Sequence, residues 1–394
     1  LLVFASSHDE AHEYLRNYAA PDHKPAGSNM KKIMCTVGTR PEAIKMAPVI
    51  LELKKQNWAQ VRVLATAQHR EMLDQVMNFF DIAPDIDLNI MKPNQNLTEL
   101  TARLLLELDK VLLEEQPDVV LAQGDTTTVF AMALACFYRR IPFGHVEAGL
   151  RTWDMHNPFP EEANRVLAGR LTRWHFAPTE SSKGNLLREG IAAEDITVTG
   201  NTVIDALLMT ARKELNIGVE IAADKRLVLV TSHRRENFGE PFKNICEALK
   251  CLAERNPDIQ ILYPVHPNPN VHDVAHATLG SVDNIILCQP LDYAPFIAAM
   301  KRAYLIISDS GGVQEEAPAL GIPVLVLREE TERPEAVDMG VVKLVGANKQ
   351  TIIDEAQRLL DDVDAYRSMA RGVSPYGDGK GAERIVDVLK DHFI

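Results

Sequence analysis

The sequence lacks any uninterrupted apolar run near the roughly 18 residues that a membrane-spanning helix needs. Its apolar stretches are strand-sized. It also lacks a CxxC pair, and its five cysteines, at positions 35, 136, 246, 251 and 288, are odd in number, with several in apolar runs. That usage predicts reduced core thiols rather than disulfides or zinc, and hence a cytoplasmic protein. An excess of positive charge is missing too: 42 Lys and Arg stand against 55 Asp and Glu, a net charge of −13. Sequence-independent nucleic-acid binding relies on clustered cations and is excluded on that ground. An anionic ligand is not, because a few local cations and helix N-termini can hold phosphate on an acidic protein. There is no GxxxxGK[ST] loop and no GxGxxG after the first strand, so neither NTP hydrolysis nor a redox dinucleotide gains support. No cofactor is expected.

What is present is a chain of 394 residues, too long for one core of typical size, so two domains are the natural expectation. No basic segment precedes the apolar Leu1–Ala5 and no adequate apolar core follows, so a signal peptide is not expected; with Pro21–Asn29 resembling a linker, residues 1–29 read as a leader without functional weight. From Lys32 onward, short β-rich runs alternate with longer helical patterns. Strands are predicted at Ile33–Val37, Val61–Ala65, Val119–Ala122, Phe143–Val146, Trp174–Ala177 and Ile196–Val198. A second series follows at Leu227–Thr231, Ile259–Tyr263, Ile285–Leu287, Leu305–Ser308 and Val324–Leu327. Alternation at this spacing means βαβ units and parallel sheets, here two doubly wound α/β halves joined near residue 200. The predicted division is 30–199 and 200–374; the break at Pro375 and the amphipathic run within 375–394 fit either a terminal helix that packs back across the domains or an ordinary last helix.

Open parallel sheets bind ligands beyond the carboxyl ends of their strands. Five predicted strands end in reactive groups: Gly38-Thr39-Arg40 with Lys45 a turn later, Gly124-Asp125, Glu147, His233-Arg234-Arg235-Glu236, and Asp309-Ser310-Gly311-Gly312. Each alone is ordinary loop chemistry; five at the same end of two sheets would line one cleft. Ser310-Gly311-Gly312 lets a phosphate approach backbone N–H groups at a helix start, although a plain capped turn reads the same way. Asp125, Glu147, Glu161 and Glu162 form an acidic set whose crowding would raise one pKa and give an acid and a base near neutrality. For Glu161 with Arg165 the plainer reading is a surface i,i+4 pair. His272 and His276 stand at i,i+4, but Asp273 replaces the glutamate of a zinc-protease motif, so a solvated helix face is expected and no metal site. His266, at a strand end, is a candidate for the cleft.

These motifs resemble, in order, those of the bacterial non-hydrolysing UDP-N-acetylglucosamine 2-epimerases, from about Met30 to the C-terminus. The landmarks include residues 38–45 (GTRPEAIK), 67–74 (AQHREMLD), 124–128 (GDTTT), 144–151 (GHVEAGLR), 160–165 (PEEANR), 200–205 (GNTVID), 233–236 (HRRE), 308–312 (SDSGG), 331–336 (TERPEA) and 375–379 (PYGDG). The resemblance implies a GT-B fold of two Rossmann-like domains with the active site between them, a homodimer, and a C-terminal helix that returns to the first domain. It implies UDP-N-acetylglucosamine as substrate, and as an activator bound near Gln68, His69 and Arg70. Carried over residue by residue, Asp125, Glu147 and Glu161 match catalytic carboxylates and Arg165 a catalytic arginine. His233 matches the diphosphate contact, and Arg40 and Lys45 match ligand-binding cations. Ser310, Gly311 and Gly312 match the phosphate cradle, Glu316 the ribose contact, and Phe296 and Arg333 further nucleotide contacts. The nearest rival readings are a GT-B glycosyltransferase, a 2-epimerase for a modified sugar, and an inactive nucleotide-sugar sensor; the intact carboxylate set favours epimerisation.

Overall fold

The computed structural model describes residues 30–66 and 70–394, so the expected leader and the positions Gln68 and His69 lie outside the described residues. The chain divides into two compact units. One comprises the described residues up to Ala206 together with Gly379–Ile394, the other Leu207–Asp378.

The first unit holds seven strands: β1 (Lys31–Val37), β2 (Ala59–Ala65), β3 (Ile86–Asp87), β4 (Val119–Gln123), β5 (Phe143–Val146), β6 (Trp174–Ala177) and β7 (Ile196–Val198). They lie in the order β3-β2-β1-β4-β5-β6-β7, and every pairing is parallel. A central parallel strand is covered on both faces and so reads as continuous apolar sequence. Accordingly Val119, Val120, Leu121 and Ala122 are all fully buried.

The second unit repeats the plan with β8 (Arg226–Thr231), β9 (Ile259–Pro264), β10 (Ile285–Cys288), β11 (Leu305–Ser308), β12 (Val324–Val326) and β13 (Val342–Leu344). Their order is β10-β9-β8-β11-β12-β13, again with every pairing parallel. Both are doubly wound sheets whose strand order reverses beside the first strand, between β1 and β4 and between β8 and β11. At such a point the two neighbouring loops turn in opposite directions and open a crevice.

The helices between strands follow from their sequences. Leu97–Glu115 opens with a capping box, Asn96 accepting from the Glu99 amide at 2.9 Å while Glu99 accepts from the Asn96 amide. It buries Leu100, Leu104, Leu108, Val111 and Leu112, one face at helical spacing. Each such leucine contributes about 1.5–3 kcal/mol by leaving water. The last helix, Gly381–Phe393, belongs to the first unit. Its N-terminal amides at Gly381 and Ala382 donate to the two oxygens of Asp205, at 3.2 and 2.8 Å. Buried Ile385, Val386 and Leu389 carry its inner face. Asp205, the end of the 200–205 motif, is therefore an N-terminal clamp supplied from another part of the chain.

All five cysteines are free thiols; Cys35, Cys136 and Cys246 are buried, and burial pushes each thiol pKa up. Among the described residues no helix is long and apolar enough to cross a membrane, and no cluster of three His, Cys, Asp or Glu side chains could hold a metal ion. His272 and His276 stack on each other, 4.1 Å between ring centroids, on the outer side of the helix Pro269–Leu279.

Candidate functional site

In the first unit the switch point brings together the loops after β1 and β4. Gly124 takes φ +91°, a conformation that glycine reaches without a Cβ penalty, and turns the chain so that Asp125 follows the strand end directly. Its carbonyl is held by His145 on β5, whose Nε2 lies 2.7 Å away. A carbonyl only accepts, so Nε2 carries the hydrogen. Burial pushes the His145 pKa down to about 4, which keeps the ring neutral.

The Asp125 carboxylate accepts from Arg165 Nη1 at 3.1 Å, and its backbone carbonyl accepts from Asn164 Nδ2 at 3.0 Å. Burial raises its pKa; the neighbouring charges of Glu147 and Glu161 act in the same direction, and Arg165 and Lys45 oppose them. Asp125, Glu147, Glu161, Arg165 and Lys45 thus form one electrostatic group. Glu147 stands just after β5 and accepts from Lys45 Nζ at 2.6 Å and from Gln123 Nε2 at 2.9 Å. Its backbone is at φ +63°. A glutamate in the left-handed region is strained by about 1 kcal/mol or more, and such strain gathers at functional sites. Glu161 is the first residue of the helix Glu161–Leu171 and is half-buried.

Arg165 overturns the surface-pair reading. It is buried, and its guanidinium binds Glu162, three residues back, through Nε and Nη2 at 2.6 Å each, while Nη1 reaches Asp125. Glu162 is fully buried, and its second oxygen accepts from the amides of Thr152 and Trp153 at 3.0 and 3.1 Å. The i,i+3 partner fixes the arginine and leaves Glu161 out of the pair. Sequence reading missed Glu162 as this anchor, though its place in the 160–165 motif was visible.

Arg40 opens the helix Arg40–Lys54 and is half-buried. Arg70 opens the helix Arg70–Phe79, is exposed, and pairs with Asp87 at 2.8 Å and Asp74 at 3.7 Å.

In the second unit the corresponding switch point carries His233 after β8 and Asp309-Ser310 after β11. A cavity of about 240 Å³ is lined by Ser232, His233, His266, Leu291, Phe296 and Ser310, among others. The structure therefore brings the predicted His233, Phe296 and Ser310 together, with His266 beside them. The rings of His233 and His266 are stacked, 5.9 Å apart at an interplanar angle of 16°. Beside His233 lies Asp309, fully buried, one of the strand-end groups marked in the sequence. Its carboxylate accepts from Ser232 Oγ (3.0 Å), the amides of His233 and Arg234 (3.0 Å each) and Asn237 Nδ2 (3.2 Å), and lies 3.7 Å from His233 Nδ1. A buried carboxylate with every neighbour donating to it holds the whole 232–237 loop in place.

Gly311 and Gly312 begin the short helix Gly311–Glu316. A Cβ on Gly311 would collide with the Arg333 guanidinium, so the glycine is what admits that arginine. Arg333 donates to Glu315 at 2.6 Å. Glu316 closes the same helix, half-buried, and a Cβ on Gly312 would stand 3.4 Å from its Oε1.

A family profile described as UDP-N-acetylglucosamine 2-epimerase matches residues 51–390. The UDP-N-acetylglucosamine 2-epimerase of Escherichia coli O157:H7 is 55% identical over 373 residues, covering 92% of this chain and 99% of that protein. The crystal structure of the Neisseria meningitidis UDP-GlcNAc 2-epimerase bound to UDP-GlcNAc is similar with a TM-score of 0.79 at 50% identity, covering 91% of this chain and all of that one. The Methanocaldococcus jannaschii UDP-GlcNAc 2-epimerase in complex with UDP-GlcNAc and UDP has a TM-score of 0.72 at 38% identity, covering 91% of this chain and 99% of its own.

Proposed function

The chain belongs to the UDP-N-acetylglucosamine 2-epimerase family and shares its two-domain Rossmann-like GT-B fold, and from that premise we propose that it interconverts UDP-N-acetylglucosamine and UDP-N-acetylmannosamine. The observation that carries the reading is the carboxylate group of the first unit, Asp125, Glu147 and Glu161, interlaced with Lys45 and Arg165.

The C2 proton of the sugar is not acidic, because no carbonyl adjoins it. A carboxylate takes that proton, the C2–H electrons form the C1=C2 bond, and the C1–O bond breaks so that UDP leaves with the bonding pair. The products, 2-acetamidoglucal and UDP, stay bound. A proton is then returned to C2 from the opposite face, and UDP adds back at C1. Two acid/base groups are needed on opposite sides of the ring, with cations for the departing diphosphate. Asp125, its proton affinity raised by burial, suits one role, and Glu147 or Glu161 the other. Arg165 orients Asp125. In the second unit His233, Ser310, Gly311 and Gly312 hold the diphosphate, Glu316 the ribose, and Phe296 and Arg333 make further nucleotide contacts. Arg40 and Lys45 complete the cationic side.

Three finer parts belong to the same reading. Activation by UDP-N-acetylglucosamine, at a site that includes Gln68, His69 and Arg70, is supported by the resemblance around residue 70. A homodimer is supported by Leu106, Leu113, Phe137, Tyr138 and Leu167, large apolar side chains left exposed on three helices of the first unit. A cytoplasmic location is supported by the five free thiols, and the mannosamine product would supply surface polysaccharide.

The deciding experiment incubates the protein with UDP-N-acetylglucosamine in D2O, without added cofactor, and follows the sugar by proton NMR. UDP-N-acetylmannosamine carrying deuterium at C2 is the expected product. No exchange and no new anomeric signal would reject the reading in favour of a modified sugar or an acceptor-dependent transferase.

A further inference from the structure

Glu42 is almost fully buried, 3% exposed, in the first turn of the helix Arg40–Lys54. Its Oε1 accepts from the hydroxyl of Thr126 at 3.0 Å. Thr126 is the N-cap of the helix Thr127–Tyr138, a position where a threonine hydroxyl ordinarily accepts from a helix amide. Here it makes no cap bond and gives its proton to Glu42. The residue before it is Asp125. Glu42 therefore reaches from the β1 loop to the β4 loop and holds the turn that carries the acid.

The other carboxylate oxygen has no donor in hydrogen-bonding geometry, although the amides of Gly38 and Thr39 lie near enough to favour its charge. Among the described residues Glu42 Oε2, Thr66 Oγ1 and Thr128 Oγ1 are buried without a hydrogen-bond partner. All three crowd around Gly38: a Cβ built there would stand 3.2, 2.6 and 3.5 Å from them, too near to fit without movement. One carboxylate and two hydroxyl oxygens gathered around a single glycine supply the two to four polar partners that a buried water takes. Leaving each group bare would forfeit the hydration that a buried polar atom gives up.

We propose that Glu42 is a positioning residue for Asp125, acting through Thr126 and through one ordered water that it shares with Thr66 and Thr128. The water satisfies Oε2, so the carboxyl cannot swing away from Thr126. The consequence for rate rests on the epimerase reading; the water does not.

Two measurements test this. In a high-resolution crystal structure of the intact protein, one density peak should lie within hydrogen-bonding distance of Glu42 Oε2, Thr66 Oγ1 and Thr128 Oγ1. Direct pairing of these side chains, or a metal ion with contacts near 2.4 Å, would overturn it. In kinetics, Glu42→Ala should lower kcat about tenfold or more while KM stays within about threefold, and Glu42→Gln, which keeps an acceptor for Thr126, should recover most of the loss. Should Glu42→Ala not fold, Thr126→Val breaks the same bond from its other end and should show the same split. A folded Glu42→Ala or Thr126→Val with unchanged kcat overturns the positioning role, as does a Glu42→Gln variant as slow as Glu42→Ala. Absence of any C2 exchange in the unaltered protein would instead reject the epimerase reading, and the crystal structure would still decide the water.

Discussion

The ammonium of Lys45 lies 2.6 Å from the carboxylate of Glu147, joining a residue one turn into the first long helix to one at the end of the fifth strand. Both are partly buried, with side chains 21% and 12% exposed, so the pair is screened less than a surface ion pair.

The same ammonium lowers the proton affinity of Asp125, against burial and the two flanking glutamates. Lys45→Met should therefore raise the Asp125 pKa further. The acidic limb of the kcat/KM profile should move to higher pH, and activity at neutral pH should fall about a hundredfold. Steady-state rates between pH 5 and 9 check both.

Burial pushes the Glu42 carboxyl up to about 7 from 4.5, with the nearby donors of Thr39, Thr126 and Gly38 pulling the other way. The side chains that face it, Thr39, Thr66, Thr126 and Thr128, are uncharged. A folded pKa above the unfolded one means the native state holds the proton more tightly. The stabilisation is complete below about pH 4.5 and is lost as pH rises toward about 7. Glu42→Gln does not titrate, so relative to it the unaltered protein should weaken by roughly 3 kcal/mol between pH 4.5 and 8. Urea unfolding of both proteins across that range reads the difference directly.

Arg165 neutralises a carboxylate that water does not reach. Arg165→Met leaves Glu162 charged, buried and short of its main partner, a loss of about 3–5 kcal/mol. Arg165→Lys restores one charge but not the fork that serves Glu162 and Asp125 together. It should recover stability better than kcat, a separation that paired denaturation and rate measurements would reveal.

The clamp at Asp205 predicts a local effect. Asp205→Ala deprives the amides of Gly381 and Ala382 of their acceptors, at a cost of about 1–2 kcal/mol. Hydrogen exchange should quicken over residues 381–393 and stay unchanged in the second unit.

Much of this architecture was legible in the sequence because parallel strands are continuous apolar runs: Phe143–Val146, Trp174–Ala177, Ile196–Val198 and Leu305–Ser308 have the bounds expected. The edge strands Ile86–Asp87 and Val342–Leu344 were not, since two or three residues at a sheet margin carry too little pattern. In the site, residues directly after a strand could be found, because chain direction alone puts them at the ligand-binding end. The parts played by Glu42, Glu162 and Asp309 could not be read, although Asp309 directly follows β11 and Glu162 stands in the acidic set. Each is a buried carboxylate whose meaning depends on a partner brought in by folding, or, for Glu162, on which of two adjacent glutamates turns inward. The i,i+4 spacing of Glu161 and Arg165 was real, but the arginine used the i+3 neighbour because that face of the helix is the buried one.

The helix Gly381–Phe393, anchored on Asp205, completes the first unit with residues that follow the whole of the second. On the ribosome, then, the carboxylate-bearing half must wait for its last structural member while Leu207–Asp378 is being translated, a delay of roughly ten seconds or more at ordinary elongation rates. Through that interval the surface later covered by Ile385, Val386 and Leu389 stays bare. The half made first is thus the half finished last.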